Sequence, residues 1–390
     1  MRFAPTLNVT LFSDSDRETV LQQLGPFDVL VCSYGLLHHE AERLQSVHWH
    51  TLIADEAQAL KNPHSKRSKA ACAMTANFKI AVTGTPIENH IGELWSLFNF
   101  INPGLLGSQE RFNQRFNNIG DAKANQQSRQ LKRLIQPFIL RRLKSEVLTE
   151  LPSRTEITLH VEQSQEEQAF YEALRRNAVE KLANSDAKAG QQRIKILAEI
   201  MRLRRASCHP QLVMQDSPIS SSKLNAFAEL LEELLENKHK VLVFSQFVDY
   251  LAILRKHLDH HMIHYQYLDG STPAKKRRTA VTEFQNGNGD VFLISLKAGG
   301  SGLNLTAADY VIHMDPWWNP AVEDQASDRA HRMGQTRPVT IYRLVSQHTI
   351  EDKILNMHQH KRSLADNLLA DSEQANNISL NDMMALISEL

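Results

Sequence analysis

The chain has 390 residues, and its 44 Lys and Arg residues balance 44 Asp and Glu residues. This zero net charge excludes a uniformly basic protein that coats nucleic acid. It allows a local basic groove, because a groove acts through its local potential and not through the total charge. At about 150 residues per domain, the length predicts two or three domains.

Cysteine usage and hydropathy indicate the cellular compartment. Cys32, Cys72 and Cys208 form no Cys-x-x-Cys pair, which excludes an evident zinc ribbon and a disulfide framework and fits a reducing compartment. Nowhere do about 18 apolar residues run together, so we expect no membrane span and no membrane partner. We therefore expect a cytoplasmic protein, associated with the nucleoid if its source is bacterial.

The first hundred residues contain short apolar runs that end in polar residues. These runs are Phe27–Cys32, Thr51–Ala54 and Ile80–Val82. Runs this short and this rich in β-branched residues favour buried parallel strands. Each is followed by a polar or helix-like segment, which is the alternation expected of βαβ units.

The middle of the chain, from about Ile91 to Arg205, has a charged, helical pattern. Ser164 and Glu167 have the spacing of a capping box that opens a helix. Apolar residues continue with helical spacing from Ile194 to Leu203. The turn-forming segment Asp216–Ser222 then predicts a linker.

The α/β alternation resumes after a predicted helix at Leu224–Leu235. The predicted strands are Val241–Phe244, Tyr265–Leu268, Val291–Ser295, Tyr310–His313 and Thr340–Leu344. One intervening helix is expected to have Thr272 as its N-cap and Pro273 at its first position. A final helix at Ile350–Leu369 precedes a polar tail. The fold class is thus α/β, with two parallel-sheet lobes and helical insertions between them, and the predicted domains are 1–100, 101–222, 223–370 and a tail at 371–390.

Asp55 and Glu56 directly follow the predicted strand Thr51–Ala54. Ligands of open parallel sheets bind beyond the carboxyl ends of the strands, so both carboxylates lie where a ligand is expected. One such carboxylate can hold Mg²⁺ and its neighbour can orient or deprotonate the attacking water of nucleotide hydrolysis. The alternative is a strand-end Asp followed by a Glu that interacts with a helix dipole.

Two further segments follow predicted strands. Thr83–Pro86 is a small, rigid turn with two hydroxyls that can sense a nearby phosphate. Lys297–Asn304 is a Gly-rich loop whose backbone N–H groups can approach a phosphate or ribose closely. Taken alone, each is equally an ordinary turn.

Asn319 and Pro320 are predicted to open a helix that carries Gln325, Arg329 and Arg332 on one face. Two guanidiniums on one face can stabilise the charge of a γ-phosphoryl group during its transfer. The alternative is a surface stripe in which both arginines pair with nearby acids such as Asp328.

Together, these motifs resemble the Swi/Snf-like family of superfamily-two helicases, which are ATP-driven translocases on double-stranded DNA. The resemblance covers residues 27 to 360 and is carried by Asp55–Gln58, Leu60–Pro63, Thr83–Asn89, Arg141–Lys144, Leu151–Pro152, Val243–Phe247 and Gly299–Gln335, the last of which includes Asp315–Pro320. It implies two RecA-like lobes, with the first confined to residues 1–100 and the second, helicase C-terminal lobe at 223–370. ATP and Mg²⁺ are the implied cofactors, and double-stranded DNA is the implied partner.

The resemblance also implies roles for individual residues. Asp55 would carry Mg²⁺, Glu56 would be the catalytic acid, and Arg329 and Arg332 would reach the ATP. The residues that would line the nucleotide from the second lobe are Gln325, Gly300, Gly302 and Asn304. The positions that match DNA-backbone contacts are Ser33, Tyr34, Ser245, Gln246, Asp269, Gly270 and Ser271. The basic run Lys275–Arg278 either extends this track or forms a solvated helix face.

One part of the family pattern does not occur in this sequence. None of the 15 glycines is followed by lysine, so no Gly-Lys-Ser/Thr loop is present to hold the β- and γ-phosphates. We therefore expect an incomplete first lobe, truncated before this loop, and no ATP hydrolysis by this chain alone. Two alternatives stay open: a non-catalytic DNA- or protein-binding remnant, and a subunit that completes its ATP site with another polypeptide. The DNA-bound cargo, such as RNA polymerase or a repair complex, also stays open.

Overall fold

A computed structural model of the chain describes residues 4–12, 16–84, 92–116, 130–142, 144–148, 150–184, 189–299, 302–357 and 384–387. The chain divides into two compact units. Unit 1 comprises Met1–Phe138 with Leu364–Asn377, and unit 2 comprises Ile139–Ser363 with Ile378–Leu390.

Unit 1 contains two small parallel sheets. The first pairs β1 (Asn8–Leu11) with β2 (Asp28–Val31), and the second pairs β3 (Trp49–Ala54) with β4 (Ala76–Ala81). The three predicted strands are present and parallel, although β3 and β4 begin earlier than the apolar runs indicate. Their predicted burial was wrong, because Val31, Ile53 and Ile80 are exposed. The sequence pattern did not predict β1.

The sheet of β3 and β4 has one exposed apolar face. Ile53 lies beside Ile80, and Thr51 lies beside Phe78. Ile53 and Phe78 are each 60% exposed, and Ile80 is 46% exposed. The opposite face packs on a core that includes Ala54, Ala57 and Leu60. Parallel sheets are normally covered on both faces, so unit 1 buries less of its sheets than is usual for this class.

Short helices surround these sheets. The α-helices of unit 1 are Arg17–Gln22, Tyr34–His39, Ala41–Gln45, Lys66–Ala73, Gly92–Ile101, Gln109–Phe116 and 130–135, and the 3₁₀ turns are Ala57–Leu60 and Gln136–Phe138. Ser33 and Ser65 cap two of them, because each hydroxyl accepts a backbone N–H from three residues later.

Unit 2 is built on one six-stranded parallel sheet with the order β5-β10-β9-β6-β8-β7. Its strands are β5 (Arg154–Val161), β6 (Val241–Ser245), β7 (Tyr265–Leu268), β8 (Val291–Ser295), β9 (Tyr310–His313) and β10 (Val339–Ser346). Every residue of β6 and β8 is buried, as their continuous apolar sequences predict. The α/β class and the five strands predicted here are confirmed.

The edge strand β5 lies in a region for which the sequence pattern predicts only helices, and this expectation was wrong. Ile157, Leu159 and Val161 alternate with polar residues, which is the period of a half-buried strand. The strand pairs along its whole length with β10, about 185 residues later in the chain. The predicted domain boundaries at 100, 222 and 370 stay predictions, and the last lies outside the described residues.

Two apolar clusters cover the two faces of this sheet. One includes Phe227, Leu231 and Tyr250 from two helices together with Val243 and Leu293 of the sheet. The other joins residues of further helices, such as Phe284 and Ala326, to Phe244 and Ile294. Residues from β6 and β8 thus alternate between the two clusters, which makes unit 2 a three-layer α/β structure.

The α-helices of unit 2 are Lys144–Val147, Gln165–Ala183, Ala189–Cys208, Ser222–Glu236, Val248–His260, Ala274–Gln285, Leu296–Gly299, Pro320–Ser327, 350–357 and 384–387, with a 3₁₀ turn at Pro210–Leu212. The capping box of Ser164 and Glu167 is confirmed. Residues 358–369 of the predicted last helix lie outside the described residues. In the described parts of the chain, no helix is both long and apolar enough to cross a membrane.

One predicted helix start was wrong by one residue. The helix Ala274–Gln285 has Pro273 as its N-cap, and the predicted cap Thr272 lies one residue earlier. The Thr272 hydroxyl accepts the backbone N–H of Asp269 at 3.0 Å and hydrogen-bonds the Asp269 carboxylate at 3.1 Å. Because the preceding turn uses this hydroxyl, it does not cap the helix.

Candidate functional site

In unit 1, the loops that follow β3 and β4 meet at the carboxyl edge of their sheet. The N–H of Val82 donates to the carbonyl of Ala54 at 2.8 Å, and the N–H of Ala57 donates to the carbonyl of Val82 at 2.9 Å. Asp55 and Glu56 lie between these two bonds. The predicted pair of carboxylates is therefore fixed at the edge where parallel sheets bind ligands.

The backbone of Glu56 is left-handed, with a φ of 49° and a ψ of 49°. For a residue with a Cβ atom this conformation costs about 1–2 kcal/mol. The Asp55 carboxylate supports the turn, because its Oδ1 accepts the N–H of Glu56 at 2.9 Å. Strain of this kind is retained where neighbouring groups hold it in place, and here it sets the direction of the Glu56 side chain.

A chain of hydrogen bonds connects Glu56 to the loop after β4. Gln58 Nε2 donates to Glu56 Oε2 at 2.7 Å, and Thr83 Oγ1 donates to Gln58 Oε1 at 3.0 Å. The side-chain amide of Gln58 thus links Thr83 to the Glu56 carboxylate. The sequence motifs predict no role for Gln58, although it lies two residues after Glu56.

Tyr34, the first residue of the helix Tyr34–His39, contacts the turn of Asp55 and Glu56. Its hydroxyl donates to the main-chain carbonyl of Asp55 at 2.8 Å. Burial, together with the charges of Asp55 and Glu56, raises the pKa of Tyr34 to about 12. The Ser33 hydroxyl is occupied in capping the helix that Tyr34 begins. Both were predicted as DNA contacts, and the structure brings Tyr34 to the Asp55–Glu56 turn.

The carboxylates of this turn suit a magnesium ion that keeps some of its water. Among the described residues, no group of three or more His, Cys, Asp or Glu side chains could enclose a metal ion. Mg²⁺ commonly uses one or two carboxylates and takes its other ligands from water and nucleotide phosphates. Asp55 and Glu56 fit that pattern. Thr85 and Pro86, the rest of the predicted phosphate-sensing turn, lie outside the described residues.

In unit 2, the predicted site residues follow four adjacent strands, β9, β6, β8 and β7. All four are parallel, so their carboxyl ends lie on one edge of the sheet. The sheet order thus gathers loops that are up to about 80 residues apart in sequence. This gathering follows from the topology of the doubly wound sheet and not from any single motif.

The loop after β6 rests on a buried carboxylate. Ser245 Oγ donates to Asp315 Oδ1 at 2.5 Å, and the N–H of Gln246 lies 3.3 Å from each Asp315 oxygen. Ser245 and Asp315 are buried, whereas Gln246 is partly exposed. Burial raises the pKa of Asp315 to about 6, although the Arg204 guanidinium and the Ser245 hydroxyl act to lower it. Of the two predicted DNA contacts, only Gln246 reaches the surface.

The loop after β7 is organised by Asp269. Its carboxylate accepts from Ser271 N at 2.8 Å, from Ser271 Oγ at 2.7 Å and from the Tyr267 hydroxyl at 2.9 Å. Burial works to raise the pKa of Asp269, but the hydrogen bonds from Ser271, Tyr267 and Thr272 outweigh it and lower the pKa to about 2. Gly270 and Ser271 are exposed beside Lys275 and Lys276, which line the same open cavity of about 660 Å³ as Ser271.

The loop after β8 lies against the segment that carries the predicted arginines. Arg332 Nη1 donates to the carbonyl of Leu303 at 3.0 Å, and the N–H of Leu305 donates to the carbonyl of Arg329 at 3.0 Å. Gly302 and Asn304 are exposed on this loop, and Gly302 has a positive φ of 59°. Gly300 lies outside the described residues.

The prediction that one helix carries Gln325, Arg329 and Arg332 was wrong. The helix ends at Ser327, so only Gln325 lies on it, and both arginines lie in the turn that follows. The Ala330 carbonyl is taken by the Gln335 side chain at 3.1 Å, and the Arg329 carbonyl is taken by Leu305. Because these acceptors are satisfied from outside, the chain leaves the helix at no cost in hydrogen bonds.

Side chains from the start of unit 2 hold this turn. Lys144 pairs with Asp328 at 2.6 Å, and Arg154 pairs with Asp324 at 2.8 Å. His331 Nε2 hydrogen-bonds the carbonyl of Pro152 at 2.9 Å. Lys144 and Pro152 belong to segments that carry the family resemblance, but the sequence motifs predict no role for them. Asp328, named above as a partner for the two arginines, is bound by Lys144.

Comparisons with known proteins match both parts of the chain to described domains. The SNF2-related domain matches residues 1–212, and the helicase conserved C-terminal domain matches residues 222–334. An uncharacterized ATP-dependent helicase of Mycoplasma genitalium, MG018, is 36% identical over 377 residues, which are 95% of this chain and 36% of that protein. The ISWI chromatin-remodeling complex ATPase CHR11 of Arabidopsis thaliana is 34% identical over 381 residues, which are 93% of this chain and 36% of that protein.

The chain therefore spans little more than a third of the length of these curated relatives. Among solved structures, the SWI2/SNF2 ATPase core of Sulfolobus solfataricus in complex with double-stranded DNA is similar to the chain. The two are 34% identical, the alignment covers 99% of this chain and 82% of that one, and the TM-score is 0.51.

Proposed function

Because the chain belongs to the SNF2-related family of ATP-dependent helicases, we propose that it forms the motor of a translocase that moves along double-stranded DNA. The observation that carries this proposal is the turn after β3, where Asp55 and Glu56 lie at the ligand-binding edge of the sheet. The hydrogen-bonded link from Glu56 through Gln58 to Thr83 supports a site that responds to its ligand.

In this proposal, each residue of unit 1 has a distinct task. Asp55 holds Mg²⁺, and Glu56 orients and activates the attacking water. The metal, when bound, neutralises charge on the β- and γ-phosphate oxygens. Gln58 fixes the Glu56 carboxylate, and Tyr34 fixes the Asp55 carbonyl, so that the turn needs little reorganisation when water is activated.

Residues of unit 2 also have tasks in the proposed ATP hydrolysis. Arg329 and Arg332 stabilise negative charge on the transferring γ-phosphoryl group. The nucleotide-binding residues are Gln325, Gly300, Gly302 and Asn304. The ion pair of Lys144 and Asp328 supports this role, because it fixes the turn from which both arginines project.

The proposed DNA track consists of loops at the carboxyl edges of the sheets. Its residues are Ser33, Tyr34, Ser245, Gln246, Asp269, Gly270 and Ser271. The exposure of Gly270 and Ser271 beside Lys275 and Lys276 supports this track, since neutral donors flanked by cations suit a phosphate backbone. Ser245 and Asp269 act within the track as supports of the loops that present Gln246 and Ser271.

ATP hydrolysis by this chain, with and without double-stranded DNA, tests the proposal. The sequence contains no Gly-Lys-Ser/Thr loop, so we expect no turnover above that of Glu56→Gln, together with salt-dependent binding of double-stranded DNA. Fusion of a family phosphate-binding segment ahead of residue 1 should then give DNA-stimulated turnover that Glu56→Gln abolishes.

Other outcomes would select the alternatives. DNA binding without any turnover after the fusion would favour a non-catalytic binding remnant. Turnover only on addition of a second polypeptide would favour a site completed by a partner. Turnover by the unmodified chain that Glu56→Gln removes would show that hydrolysis proceeds without a Gly-Lys-Ser/Thr loop and would contradict the expected inactivity.

A further inference from the structure

A buried carboxylate lies directly beneath the loop after β6. Asp315 is 3% exposed, and it accepts hydrogen bonds from the hydroxyl of Ser245 and from the N–H of Gln246. Ser245 Oγ in turn accepts the N–H of Phe247 at 3.1 Å. Asp315 therefore holds Ser245 and Gln246 directly and holds Phe247 through the Ser245 hydroxyl, although it lies about 70 residues further along the chain.

Arg204 holds Asp315 in place from the opposite side. This arginine is 0% exposed, its Nη2 donates to the carbonyl of Pro316 at 2.6 Å, and Nη2 lies 3.8 Å from Asp315 Oδ2. Its guanidinium lies 5.6 Å from the ring centre of Phe247 and 5.3 Å from that of Trp318. The planar cation is thus clamped between aromatic rings, with the carboxylate at its edge.

Burying this ion pair is costly, since both groups lose their water. A core made only of apolar side chains would fill the same space without that cost. Unlike an apolar contact, however, the pair fixes the direction of the Gln246 N–H and of the backbone at Phe247. Directional hydrogen bonds of this kind specify a single loop conformation.

Gln246 is the residue of this loop whose side chain is left without a hydrogen bond. The residue is partly exposed, but its Nε2 is buried and has no hydrogen-bond partner among the residues that the structure describes. An amide donor without a partner is costly in the free protein and is satisfied when a ligand supplies an acceptor. A phosphate oxygen of the DNA backbone is such an acceptor.

We infer that Asp315, clamped by Arg204, is a positioning residue that fixes the loop after β6 so that the Gln246 side chain contacts the DNA backbone. This inference rests on the proposed DNA translocase function and refines it. It assigns the contact in this loop to Gln246 and gives Ser245 a supporting task, because the Ser245 hydroxyl is buried and already paired.

A double-mutant cycle on the whole chain tests this assignment. The binding of a fluorescently labelled 20-base-pair DNA would be measured by anisotropy at pH 8 for the unsubstituted chain, Asp315→Asn, Gln246→Ala and the double variant. We expect each single substitution to weaken binding about tenfold, and the double variant to bind no more weakly than Gln246→Ala. A purely structural role of Asp315 would give effects that multiply.

Tyr171→Phe is the matched control. It removes the acceptor of a buried hydrogen bond of 2.8 Å from the N–H of Ile350, which involves none of Asp315, Ser245 and Gln246. This control should bind DNA within twofold of the unsubstituted chain. If Asp315→Asn does not fold by circular dichroism, Arg204→Lys replaces it, because lysine keeps the charge and loses the planar fork.

The outcomes separate the two proposals. Normal DNA binding by folded Asp315→Asn, or effects that multiply with Gln246→Ala, would overturn the positioning role and leave the DNA proposal intact. A failure of the unsubstituted chain to bind the DNA would overturn the DNA proposal and the positioning role with it.

Discussion

Glu56 shows how one residue can combine strain with function. Its left-handed backbone places a carboxylate at the edge of the sheet, and Asp55, Gln58 and Tyr34 hold the turn by hydrogen bonds. A glycine would adopt this backbone without strain but would supply no carboxylate. A glutamate is therefore needed at position 56 for its carboxylate, and the hydrogen bonds of the neighbouring residues offset the cost of its left-handed backbone.

Because the backbone of Glu56 is strained, two substitutions that both remove its carboxylate should differ in stability. Glu56→Gly should be up to about 1 kcal/mol more stable to urea than Glu56→Ala, because alanine keeps the left-handed strain and glycine relieves it. The same pair at exposed Arg67, in the helix Lys66–Ala73, provides the control. There the order should reverse by about 1 kcal/mol, since glycine weakens a helix. Equal stability of the two Glu56 variants would contradict the strain.

Asp315 predicts an unusual dependence of stability on pH. Its pKa rises from 3.8 to about 6 on folding, because burial of the carboxylate outweighs the lowering by Arg204, Ser245 and Lys223, and the charge of Glu351 adds to the rise. The folded chain therefore binds this proton more tightly than the unfolded chain between about pH 4 and pH 6. Relative to Asp315→Asn, the chain should lose on the order of 3 kcal/mol of unfolding free energy as the pH rises through that window.

Urea unfolding at several pH values measures this difference. Asp269→Asn is the control, because the pKa of Asp269 is lowered to about 2 and its contribution is complete above pH 4. The difference in unfolding free energy between Asp269→Asn and the unsubstituted chain should not change between pH 5 and pH 7. If the difference for Asp315→Asn also does not change with pH, burial does not raise the pKa of Asp315.

At the scale of elements, the turn after the helix Pro320–Ser327 is stabilised by one amide side chain. Gln335 Nε2 lies 2.7 Å from the carbonyl of Ala308 and 3.1 Å from that of Ala330, while Oε1 accepts the N–H of Thr336 at 2.9 Å. The side chain replaces the main-chain partners that a longer helix would have provided. It thereby keeps Arg329 and Arg332 in a turn.

Gln335→Ala should lower the unfolding free energy of the chain by about 2–3 kcal/mol, because several buried main-chain groups lose their partner at once. Met333→Ala, in the same turn but with a side chain that is 68% exposed, should change it by less than about 0.5 kcal/mol. Urea unfolding of both variants provides the comparison. An equally small effect of both substitutions would mean that the ion pairs of Lys144 and Arg154 hold the turn by themselves.

At the scale of the whole molecule, the two units differ in how fully their sheets are buried. All residues of β6 and β8 are buried, whereas β3 and β4 expose large apolar side chains on one face. Small parallel sheets with an open face gain little from burial, and their hydrogen bonds open more easily. Stability should therefore be unevenly distributed along the chain.

Hydrogen exchange followed by mass spectrometry checks this expectation. Amides of β3 and β4 should exchange at least about 100-fold faster than those of β6 and β8. The edge strand β7 is the internal control, because it belongs to the larger sheet but has a neighbour on one side only. Protection of β3 and β4 equal to that of β6 would contradict the weaker burial of unit 1.

Local sequence patterns were sufficient for much of this fold. The continuous apolar runs of β6 and β8 and the capping box of Ser164 and Glu167 specify their own structure, because burial and capping depend on residues close in sequence. The position of Asp55 and Glu56 after β3 also followed from the chain alone, since a polar pair directly after an apolar run marks a strand end. The family resemblance added the roles of these residues.

Only the tertiary structure decided the features that join distant segments. It pairs β5 with β10, ends the helix before Arg329 and places Asp315 beneath Ser245. For the strand pair and for Asp315, the deciding partner is far away in sequence. The helix end also depends on the nearby Gln335, and there the local pattern is compatible with more than one outcome. The sequence by itself thus determined which residues could perform the chemistry. The packing of separated segments determined which of them are exposed, which are held in place and which hold the others.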